Sequence, residues 1–511
     1  MRLNVKKLIC ACAGLTLSLA PSHAGTTGAA DLFNNLQTSY FSSLTTTAMS
    51  LLSTADVAAL STDAVSNLST SCIQALTTAK FSALTTAGAV ALTTSQVAAL
   101  TTAQARALNS GQVGALTTAQ TVAMTTSDVA ALTTAGAIGL TTAQVAALTT
   151  DQVVSLTTGH IRTLSTANAN ALTTSQVAVL TTAQAAVISS SHVAALTTAQ
   201  VCAITTSDLA VLSTSAVAAL TTDGAVALST SQVAALTTAQ ARVLNSGQVG
   251  ALTTAQTVAM TTSDVAALTT AGASGLITAQ VAALTTDQVV SLTTGHIRTL
   301  STANANALTT SQVAALTTAQ AAAITSAHVP ALTTAQVCAI TTADVAVLST
   351  SAVAALTTDE VVALTTTQVE ALTTSQVRAI TTAQAYALTT SQANALSTSD
   401  IAVLSTGAVN ALTTANILAL TTTQVQAFTT AQISAVTTAQ MYGMSTGQVA
   451  ALTTAQARVL NSGQIASLTT AQIQAITSAD IAALTTSARQ GLTTANISGL
   501  TTDQIFTLIH S

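Results

Sequence analysis

Hydrophobic and polar residues recur with a strict period of eight along nearly the whole chain. The common unit is Leu-Thr-Thr-x-Gln-Val-x-Ala, and its positions are numbered here from 1 at the leucine to 8. Position 1 recurs every eight residues from Leu44 to Leu508 without insertion or deletion, with substitutes such as Met124, Ile188 and Phe428. Loops tolerate changes of length, so this constancy indicates that each octad packs in register on its neighbours, as in a solenoid.

A longer duplication lies on top of the octads. Residues 105–124 recur almost unchanged at residues 241–260, a shift of 136 residues or 17 octads. If octads alternated between two structural environments, a shift by an odd number of octads would move each sequence into the other environment. The near-identity of the copies therefore indicates that the single octad is the structural unit.

Two architectures can stack such a unit: a solenoid of very short helices and a β-solenoid. Thr and Val favour strands, but positions 1 and 6 differ by an odd number, which breaks the alternation of a strand. In a helix, position 6 and the next position 1 lie three residues apart on one face. Thr at position 2 and Gln at position 5 have the spacing of a capping box.

The distribution of charges also favours helices. Within the octads, acidic residues occupy positions 4 or 5, except Glu370, and arginines occupy position 7, except Arg489. Acids in a first turn and bases in a last turn stabilise a helix dipole. We therefore predict an all-α solenoid of helices about six residues long, one per octad and each capped by threonine, with the β-solenoid as the alternative.

The N-terminal residues have the features of a secretory signal. Lys6 and Lys7 precede an apolar stretch from Leu8 to Ala20, and small residues at Ser22 and Ala24 suit signal peptidase. We predict a signal peptide at 1–24, an N-terminal cap segment at 25–43 and the solenoid at 44–511. The expected location is the exterior or surface of a bacterial cell.

Composition excludes several classes of protein. Only 5% of residues are charged while 49% are hydrophobic, which is unlike a disordered chain. Hydroxyl pairs interrupt every apolar run of the octads, so no membrane span is expected in the mature chain. The net charge of −5 also opposes nucleic-acid binding.

No set of residues with the spacing of a catalytic or metal site is evident. Cys72, Cys202 and Cys338 lack CxxC spacing, and we expect small buried or edge thiols. Four histidines occupy position 5, where a cap or a solvent-facing side chain is expected; they are His160, His192, His296 and His328. We therefore predict no catalytic residue, no metal and no cofactor, and hence no enzyme.

The run from Leu140 to Leu148, Leu-Thr-Thr-Ala-Gln-Val-Ala-Ala-Leu, resembles octapeptide arrays in large bacterial exported proteins. Such proteins are associated with adhesion or haem utilisation, which the resemblance implies at the level of the repeat alone. With few charges to keep copies apart, we expect an exported structural or adhesive scaffold that self-associates or contacts surfaces or polysaccharide. The alternatives are a binder of a regular lattice, polysaccharide or ice, and a haem-acquisition protein.

Overall fold

The computed structural model describes residues 44–510, and all regular structure in this range is helical, with no strand. With one exception described below, each octad from Leu44 to Leu500 contributes one short helix that begins at position 3. The most common form is six residues long and ends at position 8, as in Thr118–Ala123, Thr142–Ala147 and Thr414–Ala419. The predicted all-α solenoid is confirmed, and the alternative β-solenoid is wrong for the described residues.

Several octads have shorter helices with the same start. The four-residue helices are Thr78–Phe81, Thr134–Ala137, Thr182–Ala185, Thr270–Ala273, Thr318–Ala321, Thr454–Ala457 and Thr486–Arg489. The five-residue helices are Thr54–Ala58, Thr70–Gln74, Thr94–Ala98, Thr174–Ala178, Thr214–Ala218, Thr230–Ala234, Thr238–Arg242, Thr310–Ala314, Thr350–Ala354, Thr366–Glu370, Thr374–Arg378, Thr446–Ala450 and Thr494–Ser498. The last helix, Thr502–His510, has nine residues.

One octad of the described chain departs from the α-helical form. Residues Val329–Ala331 form a 3₁₀ turn, and Pro330 lies at position 7 of this octad. Proline has no amide hydrogen and its ring collides with the preceding helical turn, so the α-helix cannot continue through it.

The local sequence determines where each helix starts. In the octad that begins at Leu116, both Leu116 (φ −57°, ψ 141°) and Thr117 (φ −68°, ψ 160°) are extended, and these two residues form the corner. The hydroxyl of Thr117 then accepts a hydrogen bond from the backbone N–H of Gln120 at 3.2 Å. Gln120 Oε1 accepts the backbone N–H of Thr117 at 2.7 Å, which completes the predicted capping box.

The described residues fall into two compact units, one ending at Met260 and the other beginning at Thr261. Within each unit a helix packs on the helix three octads further along the chain. Thr102–Ala107 contacts Thr126–Ala131 in the first unit, and Thr382–Ala387 contacts Thr406–Ala411 in the second. Three octads, or 24 residues, therefore make one turn of the solenoid in each unit.

The core of each unit consists of positions 1, 5 and 6. In the octad that begins at Leu140, the side chains of Leu140, Gln144 and Val145 are buried. An isolated helix of four to six residues is unstable in water, because nucleation is unfavourable and few hydrogen bonds follow it. The stability of this fold must therefore come from contacts between successive turns.

Two further predictions concern the N-terminal segments and the absence of a membrane span. The predicted signal peptide at 1–24 and cap segment at 25–43 lie outside the described residues. Between residues 44 and 510, no helix has the length and apolar character that crossing a bilayer requires.

Candidate functional surface

The glutamine at position 5 connects successive turns of the solenoid. Besides its role in the capping box, Gln104 donates from Nε2 to the carbonyl oxygen of Leu76 at 2.9 Å and of Ile73 at 2.7 Å. Gln440 makes the same two bonds to Leu412 at 2.6 Å and Val409 at 2.8 Å. These acceptors lie 28 and 31 residues earlier, so one side chain closes its own helix and ties it to the turn below.

The four histidines at position 5 use the same arrangement. His160 Nε2 lies 2.7 Å from the carbonyl oxygen of Leu132, and Nδ1 accepts the backbone N–H of Thr157 at 3.3 Å. These two partners require the neutral tautomer with hydrogen on Nε2. His160, His192, His296 and His328 are all only 2–5% exposed. Of the two expected roles, a cap or a solvent-facing side chain, the structure confirms the cap.

Shorter side chains at position 5 make only part of this connection. Asn168 donates from Nδ2 to the carbonyl oxygen of Leu140 at 2.8 Å. Asp128 instead accepts the hydroxyl of Thr125 at 2.6 Å and remains within its own octad. Cys72 also occupies position 5, where its buried thiol donates to the carbonyl oxygen of Leu44 at 3.2 Å. Length and donor capacity therefore decide which octads are tied to the turn below.

Exposed side chains at position 7 make a second set of hydrogen bonds, to the next turn of the solenoid along the chain. Gln74 donates to the carbonyl oxygen of Ala99 at 2.7 Å, and Asn170 donates to that of Ala195 at 2.6 Å. The exposed thiols of Cys202 and Cys338 donate to Ala227 and Ala363 at 2.8 and 2.9 Å. Of the three thiols, Cys72 is buried and the other two lie at the surface.

The exposed surface is formed by positions 2, 3, 4 and 7. In the octad that begins at Leu116, Thr117, Thr118 and Ala119 are exposed in succession. A Cβ atom at Gly111, a position 4, would lie 3.6 Å from the Cγ2 methyl of Thr86, a position 3 in the turn below. The threonine methyl groups thus pack between turns while the hydroxyl-rich face remains open to solvent.

Large apolar side chains are exposed at some of the position-7 sites. Tyr386 is 67% exposed and Tyr442 is 63% exposed, and Val362 and Leu418 lie one turn before them at the same position. Arginines occupy other position-7 sites, and Arg106, Arg162 and Arg378 lie in the last turns of their helices as predicted.

The octads with the sequence Asn-Ser-Gly have a structural requirement beyond the helix cap. These octads begin at Leu108, Leu244 and Leu460, and each is capped by its asparagine; Asn109 Oδ1, for example, accepts the N–H of Gln112 at 2.9 Å. In addition, Gly139 approaches the turn below so closely that a Cβ atom would lie 2.0 Å from the carbonyl oxygen of Ser110. Gly491 has the same relation to Ser462, at 2.1 Å. The signal in the sequence is the spacing of 29 residues between each serine and its glycine.

Within residues 44–510, no group of three or more His, Cys, Asp or Glu side chains is placed to hold a metal ion. The geometry does define a class of protein, an α-helical solenoid built from octapeptides. Its interior contains a ladder of position-5 side chains that bond to the turn below, and its exterior is nearly uncharged.

Comparison with known proteins agrees with this class. The family model of the ALTTAQ repeat matches residues 98–126, 122–158, 201–238, 258–294, 337–374, 394–430, 444–478 and 473–508. These matches cover more than half of the chain, which therefore belongs to the ALTTAQ-repeat family. Neither the curated proteins nor the solved structures compared with it gave a match.

Proposed function

We propose that this chain is a non-enzymatic, exported scaffold that acts at the bacterial surface or outside the cell by self-association and adhesion. The observation that carries the proposal is the contrast between interior and exterior. Nearly all buried side-chain nitrogen and oxygen atoms of the described residues have hydrogen-bond partners within the solenoid, whereas positions 2, 3 and 4 present hydroxyl and methyl groups on successive turns. A surface with few charges has little electrostatic repulsion to keep copies or neutral surfaces apart.

The histidine geometry gives no support to haem acquisition. An axial ligand to iron requires a free imidazole nitrogen, yet both ring nitrogens of His160, His192, His296 and His328 have partners within the solenoid. Binding of ice or of a polysaccharide lattice would be favoured by a flat β-face of threonine rows. The described octads are helical instead.

The proposal is tested by adding charge to the exterior without changing the interior. Ala119, Ala143 and Ala167 are exposed at position 4 and separated by one turn each. The variant that combines Ala119→Glu, Ala143→Glu and Ala167→Glu should fold normally, since Asp151 already occupies position 4 in the first turn of its helix. The matched control carries Ala→Ser at the same three sites.

Self-association by analytical ultracentrifugation and adhesion to neutral polysaccharide films by quartz-crystal microbalance are the two readouts. We expect the glutamate variant to lose about tenfold in either one at low salt, with partial recovery at high salt, and the serine control to match the wild type. The proposal is wrong if the wild type neither associates nor adheres, or if the glutamate variant is unchanged.

A further inference from the structure

Glu360 occupies position 5, where most octads have glutamine. It is 2% exposed, and its Oε2 accepts the backbone N–H of Thr357 at 2.6 Å. Its Oε1 is buried without a hydrogen-bond partner. Apart from Arg489 Nε, no other buried side-chain nitrogen or oxygen in the described chain lacks a partner. An unpartnered buried oxygen is costly, so the state of this carboxyl requires a physical explanation.

The neighbouring glutamines show what the second atom of this side chain faces. Gln384 Nε2 donates to the carbonyl oxygens of Leu356 and Val353, both at 2.8 Å. Gln392 makes the same pair of bonds at 2.7 Å to Leu364 and Val361. Glutamate has the same length as glutamine, and the same spacing directs Oε1 towards the carbonyl oxygens of Leu332 and Val329. An ionised carboxylate can only accept hydrogen bonds, and so can a carbonyl oxygen.

The part of the solenoid that Oε1 of Glu360 faces includes the 3₁₀ segment Val329–Ala331, which contains Pro330. In the copy 136 residues earlier, the corresponding segment is the α-helix Ser190–Ala195, and Gly224 occupies the site that corresponds to Glu360. Above the regular helix Ser190–Ala195, position 5 is therefore a glycine without a side chain. The copy with proline has a carboxyl group at that site.

We propose that Glu360 is protonated in the folded chain, that its Oε1–H donates to the carbonyl oxygen of Leu332, and that ionisation opens this contact. The octad would then carry a base-sensitive connection between the helix Thr358–Ala363 and the 3₁₀ turn below it. On ionisation the proton passes to solvent, and the carboxylate separates from the carbonyl oxygens that it faced. This inference concerns regulation of the fold and does not depend on the proposed function.

The groups around Glu360 favour the neutral acid. Burial raises the pKa of Glu360 most strongly, and the neighbouring Asp359 carboxylate raises it further, whereas the hydrogen bonds from Thr357 lower it. The helices that pack on Thr358–Ala363 are Thr334–Ala339 and Thr382–Ala387, which bring the Cys338 thiol and the Tyr386 phenol, and His328 precedes the 3₁₀ turn. The next helix along the chain, Thr366–Glu370, adds the Glu370 carboxyl. None of these residues contributes a permanent positive charge that would hold the carboxyl ionised.

The sign of the pH dependence follows from a pKa that is higher in the folded than in the unfolded chain. The contribution of this carboxyl to stability is fully present below the unfolded pKa, which is about 4.3 for glutamate. It is lost as the pH rises through the folded pKa.

The test uses the full chain with ¹³C-carboxyl-labelled glutamate, because Glu360 and Glu370 are its only two glutamates. Glu360→Gln and Glu370→Gln identify the two NMR signals. We expect the Glu360 signal of the folded chain to titrate at a higher pH than the same signal in urea. The proposal is overturned if it titrates at the same or a lower pH, which would also be the outcome for a carboxylate that binds a cation.

Amide hydrogen exchange provides a second readout that separates protonation from opening. After correction for intrinsic rates, protection of residues 357–364 should fall in the wild type as the pH rises through the NMR midpoint. Glu360→Gln should keep its protection, because its Nε2 supplies the missing donor at every pH, and Glu370→Gln should follow the wild type. Equal pH dependence in the wild type and Glu360→Gln would refute the opening step.

Discussion

Two copies of one octad, related by the 136-residue duplication, differ in helix type but share the same histidine bond to the turn below. The octad that begins at Ile188 forms the α-helix Ser190–Ala195, whereas the octad that begins at Ile324 contains Pro330 and forms a 3₁₀ turn. His192 Nε2 lies 2.8 Å from the carbonyl oxygen of Leu164, and His328 Nε2 lies 2.9 Å from that of Leu300.

The comparison shows which interactions the fold retains when they compete. Proline removes the α-helical form and the side-chain cap at the helix start, but the position-5 bond and the burial of Val193 and Val329 persist. The fold therefore keeps the position-5 hydrogen bond and the buried valine between successive turns. Regular α-helical hydrogen bonding, in contrast, is dispensable within one octad. Four changes can break or sharpen this conclusion.

The largest effect should come from forcing successive turns apart. In Gly139→Ala, the new Cβ would lie 2.0 Å from the backbone carbonyl oxygen of Ser110, which cannot move away as a side chain could. We expect local destabilisation of about 3 kcal/mol, the upper end for overpacking, measured by hydrogen exchange around residues 110–140. The control is Gly447→Ala, whose nearest atom lies 3.8 Å away, and which should be neutral or slightly stabilising. Equal effects at both sites would contradict the account.

Removal of the position-5 bonds should have the next largest effect and should be equal in the two copies. His192→Ala and His328→Ala each leave a buried carbonyl oxygen and a backbone N–H without a partner, at a cost of about 2 kcal/mol. Replacement of either histidine by glutamine should restore most of the loss. Urea titration monitored by local hydrogen exchange measures both values, and a much smaller loss at either site would show that its bond is not structural.

Exchange of the distinguishing residue should have a smaller effect. Ala194→Pro should convert Ser190–Ala195 into a 3₁₀ turn and cost about 1–2 kcal/mol, less than the roughly 3 kcal/mol of proline in a long helix interior. Pro330→Ala should have the opposite effect. NMR chemical shifts of residues 190–195 report the helix type, and the account fails if Ala194→Pro also breaks the His192 bond to Leu164.

The smallest effect concerns pH and another histidine of the ladder. Burial lowers the pKa of His296 below 6.5, more strongly than its bond to Leu268 raises it. The contribution of neutral His296 is therefore fully present above pH 6.5 and is lost as the pH falls below that value. Acid should reduce the protection of residues 293–300 in the wild type, whereas His296→Gln should abolish that part of the pH dependence. An unchanged acid response in His296→Gln would exclude this residue as its source.

Much of the fold could be predicted from the octad itself. The spacing of Thr117 and Gln120 indicates a capping box, and the distribution of acids and arginines along the octad indicates helix ends, so helix type and length follow from local rules. The burial of Gln120 and His160 could not be predicted in this way. Their second bonds reach residues 28 positions away, and nearly identical octads carry no mark of how many make one turn.

The close contacts were difficult to predict for the same reason. Gly139 is conspicuous only when it is paired with Ser110, and Glu360 resembles an ordinary first-turn acid until its buried Oε1 is seen. Local capping explains each helix, whereas the period of three octads emerges only from packing between turns.

Disulfide trapping across one turn tests that period most directly. In a chain with all five cysteines replaced by serine, the pair Thr86→Cys and Gly111→Cys joins positions in contact across one turn, since a Cβ built at Gly111 would lie 3.6 Å from Thr86 Cγ2. The pair Thr86→Cys and Ala103→Cys has the same octad positions but is separated by one octad less. The account predicts rapid intramolecular cross-linking of the first pair under mild oxidation and none of the second. Cross-linking of the second pair in preference to the first would contradict it.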